Sequence, residues 1–166
     1  MTGISGAGKS TVCGVLKDRG VAAIDTDGDG FNHWVETATM EPVVDAPDPT
    51  PPDWVETHAW HIRPDLVRDL SSGGGGTVFL FGAVANEFEV WDHFDRVACL
   101  VIDDDVVRAR LAGRSTNSFG KHPEDLERVL GWNQDLERLY RELGATIIDG
   151  SRPLDEVVEA VLDLSR

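Results

Sequence analysis

Apolar residues along this chain gather into short runs at 21–24, 77–81, 97–102 and 145–148, each bounded by polar or turn-forming residues. Runs this short suit strands buried on both faces better than helices. Between them the spacing changes to the three-and-four-residue repeat of helices. It predicts helices over 9–18, 57–70 and 104–112, and a long one that opens at Pro123 and closes at Gly144. A last helix covers 153–164, with Ser151 as its cap. Pro64 interrupts the second helix. Strands alternating with helices in this way predict an α/β fold, a mostly parallel sheet flanked by helices. No internal repeat or boundary divides the chain, so residues 1–166 are expected to form a single domain.

Two stretches break the alternation. Residues 41–53 carry five prolines and suit neither a helix nor a central strand, so an ordered loop or lid is expected there. Residues 71–76, Ser-Ser-Gly-Gly-Gly-Gly, read as a flexible connector.

Charge narrows the partners. The formal net charge is −15, and a field of that sign repels nucleic acid and anionic membrane surfaces, so neither is expected as a partner. Against that background Arg108, Arg110, Arg114, Lys121 and Arg128 cluster in one stretch, a candidate anion clamp. No apolar run approaches the roughly 20 residues that span a bilayer, and residues 1–6 lack the features of a signal peptide. Cys13 and Cys99 lie in apolar stretches and make no disulfide framework, so they are expected as buried core residues of a cytoplasmic protein.

The specific chemistry begins at Gly3-Ile4-Ser5-Gly6-Ala7-Gly8-Lys9-Ser10, which fits the phosphate-loop pattern G-x-x-x-x-G-K-[ST] at every position. Glycines let the backbone turn tightly enough for successive N–H groups to converge on phosphate oxygens. The helix that starts at Lys9 adds the partial positive charge of its N-terminus. Lys9 is expected to bridge the β- and γ-phosphates and Ser10 to ligate Mg²⁺, with Ser5, Ala7 and Thr11 completing the nucleotide contacts. ATP and Mg²⁺ are the cofactors this implies. Such a loop normally follows a buried strand, and here only Met1 and Thr2 precede it. Either the sheet lacks its central strand or the chain starts downstream of its natural start. The second is expected, because a missing central strand leaves ladder groups of both neighbours unpaired.

Beyond the loop, three further segments come in a familiar order. They are Asp25-Thr26-Asp27 directly after the 21–24 strand, the arginine-rich stretch, and Ile148-Asp149-Gly150-Ser151-Arg152-Pro153. Together they resemble the shikimate, gluconate and adenylate kinase-like P-loop kinases over nearly the whole chain. The resemblance implies a three-layer P-loop fold with an acceptor-binding region at 28–76 and a short arginine-bearing lid at 114–122. It implies Asp25 as a support for Mg²⁺ and Asp27 as the group that orients or deprotonates the acceptor hydroxyl. Arg110 and Arg114, one turn apart, are then the lid cations on the transferring phosphate, and Ser151 and Arg152 flank the adenine.

The acceptor side is acidic. Between residues 28 and 76 nine carboxylates (Asp29, Glu36, Glu41, Asp45, Asp48, Asp53, Glu56, Asp65 and Asp69) face two cations, Arg63 and Arg68. An anionic acceptor normally calls for converging arginines, although a well-placed Arg63 could hold one anion. Trp34, Trp54 and Trp60 lie in the same stretch with His33, His58 and His61, and aromatic rings with polar edges suit a ring-bearing or cationic compound. His58 and His61 read as hydrogen-bonded structural residues, since no third ligand completes a zinc spacing. Trp60, Arg63, Gly82 and Asn86, with Glu87, are the candidate acceptor contacts. Gly82-Ala83-Val84 and one candidate arginine stand where shikimate kinases carry a glycine run and arginines for the carboxylate, which points away from shikimate, and the same charge reason points away from gluconate. The sequence thus predicts an enzyme, a kinase moving the γ-phosphate of ATP to a hydroxyl of a small neutral or cationic metabolite of nucleoside, sugar or cyclitol type. The alternatives are a nucleoside monophosphate kinase and a non-enzymatic ATP-binding regulator.

Overall fold

In chain order the elements are α1 (Lys9–Asp18), β1 (Ala23–Asp25), β2 (Asn32–Glu36), α2 (Trp54–Thr57), β3 (His58–Ile62), α3 (Pro64–Ser72) and β4 (Phe79–Phe81). Two short 3₁₀ turns, Glu87–Glu89 and Trp91–His93, lead to β5 (Ala98–Val101), α4 (Asp104–Gly113), α5 (Pro123–Glu142), β6 (Thr146–Asp149) and α6 (Leu154–Asp163). This computed structural model describes residues 1–47, 50–51, 53–115, 119–120 and 122–166. The expected lid therefore falls partly outside the described residues, at Thr116, Asn117, Ser118 and Lys121, and so do Asp48, Pro49 and Pro52 of the proline-rich stretch. The chain forms two compact units, one of residues 1–25, 76–83 and 96–166, the other of residues 26–75 and 84–95.

In the first unit the apolar runs become parallel strands. β1 pairs with β4, Ala23 opposite Phe79 and Asp25 opposite Phe81. β5 pairs with β6, Ala98 opposite Thr146 and Val101 opposite Asp149. Met1 and Thr2 join the two pairs. The Met1 nitrogen donates to Leu80 O at 2.7 Å, and Gly82 N–H donates to Met1 O at 3.0 Å. On the other edge Thr2 N–H reaches Ala98 O and Leu100 N–H reaches Thr2 O, both at 2.9 Å. These two residues lie at the central position between β4 and β5, and they pair Leu80 O, Gly82 N–H, Ala98 O and Leu100 N–H.

Helices cover these strands. α1 packs on β1 and β4 and meets α6, while α5 packs on β5 and β6 and meets α4. Leu16, Phe81, Leu100, Val107, Val129 and Val158 are buried between them, and each such burial contributes roughly 1.5–3 kcal/mol. Cys13 and Cys99 are both buried in this unit. Pro123 opens α5 at its first turn, followed by Glu124 and Asp125, which suit the positive end of a helix. Ser151 does not cap the last helix. Pro153 holds that position, and the Ser151 hydroxyl donates to Asp149 Oδ1 at 2.5 Å. Among the described residues no helix is long and apolar enough to cross a membrane.

The second unit departs from the expected helix over 57–70. β3 instead pairs antiparallel with β2, with Trp34 opposite Trp60 and His33 opposite His61. The physical reason lies on either side of Arg63. Alternation of side chains over 58–62 gives the ribbon two faces, and Pro64 forces extended backbone on Arg63 (φ −82°, ψ 108°) before opening α3. α3 then runs through Ser72, into the stretch expected as a connector, and the hydroxyls of Ser71 and Ser72 donate to Arg68 O. On the other edge of β2 Pro42 bridges Val35, flanked by Glu36 N–H on Glu41 O and Val43 N–H on Trp34 O, so no N–H is called for at the proline.

Candidate functional site

The phosphate loop of the first unit leaves Thr2 and turns at once. Gly3 has φ +140°, and a Cβ there would lie 2.6 Å from Leu100 O, so only glycine lets the loop start this close to β5. Ala7 N–H closes the turn on Ile4 O at 3.1 Å, and Gly8, in the left-handed region at φ +104°, precedes α1. Lys9 Nζ donates to the loop's own carbonyls, Gly3 O at 2.6 Å and Ile4 O at 3.1 Å. Ser10 and Thr11 are exposed on the first turn of α1. Asp25 ends β1, and Gly82 follows β4 with its N–H on Met1 O.

Both arginines of α4's last turn and its cap meet this loop. Arg110 Nη1 donates to Gly6 O and Ala7 O at 3.2 Å each, and its Nη2 donates to Gly150 O at 2.9 Å. Arg114 Nη1 donates to Ser5 Oγ at 2.9 Å and Nη2 donates to the Phe119 carbonyl. Its Nε is buried with no acceptor among the described residues. Burial pulls the Arg114 guanidinium below its ordinary pKa. A partly desolvated cation beside a phosphate loop suits an anion.

The rest of the expected adenine-side loop is tied to itself. Ser151 offers its hydroxyl and its N–H to Asp149 Oδ1, which holds that carboxyl below the usual range, helped by the charges of Arg152 and Arg110. Arg152 pairs with Glu156.

The second unit holds the other candidate residues. Asp27 Oδ1 accepts from Asn32 Nδ2 and from Trp60 Nε1, each at 2.7 Å. The Asn32 amide also donates to the buried Thr26 hydroxyl at 2.9 Å. Trp34 lies 4.9 Å from Trp60, tilted at 53°, and meets Trp54 edge-on at 6.1 Å. Trp54 in turn stacks on His58 at 3.7 Å, and His58 Nδ1 lies 3.1 Å from Trp54 O. Arg63 is committed to Asp65 at 3.0 Å, and its hydrogen bond lowers the Asp65 carboxyl. Asn86 is buried and spends its amide on the backbone of Ile62 and on Glu89. By sequence this unit carries fourteen carboxylates against two arginines and no lysine.

Asn32 and Phe119 escaped the sequence reading. Asn32 matters through its position beside Asp27 once β2 forms, and Phe119 through a backbone carbonyl, for which side-chain identity gives no signal. Among the described residues no three His, Cys, Asp or Glu side chains converge on a metal. Mg²⁺ needs no such cage, since it takes one or two protein ligands with phosphates and water. The glycine turn, the Lys9 ammonium held on carbonyls and the Arg114 guanidinium at Ser5 fit a nucleotide polyphosphate with its metal. Compared with known proteins, residues 1–131 match a family model described as AAA domain. No curated protein matches the chain.

Proposed function

We propose that this chain, which belongs to the AAA domain family, moves the γ-phosphate of ATP onto a hydroxyl of a small neutral or cationic metabolite. The family supports nucleotide binding through the P-loop and a kinase-like class. The finer assignment, to the three-layer shikimate, gluconate and adenylate kinase-like group, rests on the order of motifs along the chain. MgATP would supply the phosphoryl group and the divalent charge. Lys9 would leave the Gly3 and Ile4 carbonyls for phosphate oxygens, and Ser10 and Asp25 would hold the metal, Asp25 through water. Arg114 would stabilise the charge that spreads over the transferring group. Asp27 would orient the acceptor hydroxyl and take its proton.

One observation carries the acceptor side. The Asp27 carboxylate is fixed by Trp60 and Asn32 in a unit where the aromatic rings gather and Arg63 is already paired with Asp65. An anionic acceptor would have to break that ion pair and enter a field of fourteen carboxylates. A neutral or cationic hydroxyl compound meets neither cost.

The test is ADP release with MgATP over a panel of neutral, cationic and anionic hydroxyl compounds and nucleoside monophosphates, with Lys9→Ala as control. Turnover with a neutral or cationic compound, lost in Lys9→Ala, is the expected result. Turnover confined to anionic acceptors would overturn the charge assignment, and turnover with a nucleoside monophosphate would make the chain a monophosphate kinase. ATP binding with no acceptor-dependent turnover would favour the non-enzymatic regulator.

A further inference from the structure

We propose that Arg110 is a positioning residue for the phosphate loop, holding Gly6 and Ala7 from behind so that the loop's N–H groups present themselves to phosphate. The inference rests on the part of the reading above that puts phosphates in the loop, and is independent of any transfer to an acceptor.

Three carbonyls converge on one guanidinium. Two belong to the phosphate loop and the third to Gly150, 40 residues beyond Arg110. In a trans peptide the carbonyl oxygen and the next residue's N–H point to opposite sides. Arg110 draws the Gly6 and Ala7 oxygens toward itself, so the Ala7 and Gly8 N–H groups turn away from it. Ala7 N–H closes on Ile4 O, which fixes the turn. Gly8 N–H, one peptide later, is aimed by the same grip, and a phosphate nest depends on that aim.

A second observation carries the same point. Gly150 N–H donates to Val101 O at 2.8 Å, which seats the residue on the end of β5. A Cβ on Gly150 would lie 2.9 Å from Ala7 O and 3.1 Å from Ile102 Cγ2. The turn after β6 therefore lies directly against the phosphate loop, and Arg110 bonds both. Its five donors in a planar fork suit three fixed oxygens, which a lysine would meet one or two at a time. With its charge spent on carbonyls, Arg110 differs from Arg114, whose Nε–H still lacks an acceptor among the described residues.

Calorimetric titration of the full chain with MgADP and with magnesium pyrophosphate, in the absence of acceptor, tests this. Arg110→Met should weaken both ligands alike, by about tenfold each, the worth of one hydrogen bond to a charged group. Arg110→Lys should recover part of the loss. Gly150→Ala, which leaves Arg110 in place and pushes on the Ala7 carbonyl, should weaken both ligands again, and keeps the proposal testable should Arg110→Met fold poorly. Loss with MgADP but not pyrophosphate would make Arg110 a base-side residue, and unchanged binding of both would leave the tie without a role; either overturns the proposal. Wild-type protein that binds neither ligand would sink the phosphate reading itself, and this inference with it.

Discussion

Trp60 donates its indole N–H to Asp27 Oδ1 at 2.7 Å, so one side chain is both an aromatic wall beside Trp34 and the donor that orients the candidate base. The two duties can be separated. Trp60→Phe keeps an aromatic ring and removes the donor, while Asn32 stays on that oxygen. Hydrogen bonds to charged groups contribute about 1.5–3 kcal/mol, so turnover of the acceptor should fall by about tenfold or more. Steady-state kinetics should show the loss in kcat with KM for MgATP unchanged. A rise in KM for MgATP alone would contradict the role given to Asp27.

Arg114 sets binding against stability. Its guanidinium is half-buried, with one N–H lacking an acceptor among the described residues, and a buried unsatisfied donor costs about 1–3 kcal/mol. In Arg114→Met the ligand-free protein should hold or raise its thermal midpoint, although the bonds to Ser5 and Phe119 are lost. Phosphoryl transfer should fall on the order of 100-fold, the scale of a removed charge-stabilising donor. A large drop in midpoint with activity retained would assign Arg114 to the fold instead.

His33 gives a pH dependence with a definite sign. Burial, then the charges of His61 and Arg63, hold its pKa below the ordinary 6.5, against an opposing pull from Asp65. The unfolded chain takes up this proton near pH 6.5 while the folded chain resists it, so the unfolded state binds more protons below that pH. Stability is then full above about pH 6.5 and declines as pH falls through it toward the lower folded value. Urea midpoints measured from pH 7.5 downward should show this slope, reduced in His33→Gln. Equal slopes in the two proteins would remove His33 from the account.

What the sequence disclosed divides along a physical line. The bounds of α1, Lys9–Asp18, and the parallel strands were legible because a run of four to six apolar residues between turns has few other uses in a small α/β unit. The ribbon of β2 and β3 was not. Its residues, Asn-His-Trp-Val-Glu and His-Ala-Trp-His-Ile, mix polar and aromatic types, and their pairing appears only once Trp34 stands opposite Trp60. The phosphate loop could be read residue by residue because its chemistry lies within eight consecutive positions. The grip of Arg110 on Gly6, Ala7 and Gly150 could not, since every residue has a carbonyl and only the fold says which ones meet.

The pairing of Met1 and Thr2 between β4 and β5 bears on the order in which this protein acquires its parts. The phosphate loop spans residues 3–10, yet the residues that give it shape lie far along the chain. Its entry is clamped by Leu80, Gly82, Ala98 and Leu100, and its outer carbonyls by Arg110. Contacts across such separations carry the full entropy of loop closure and form late. A phosphate analogue that binds during refolding would therefore report the closing of the whole first unit, and residues 3–10 would be among the last to become competent.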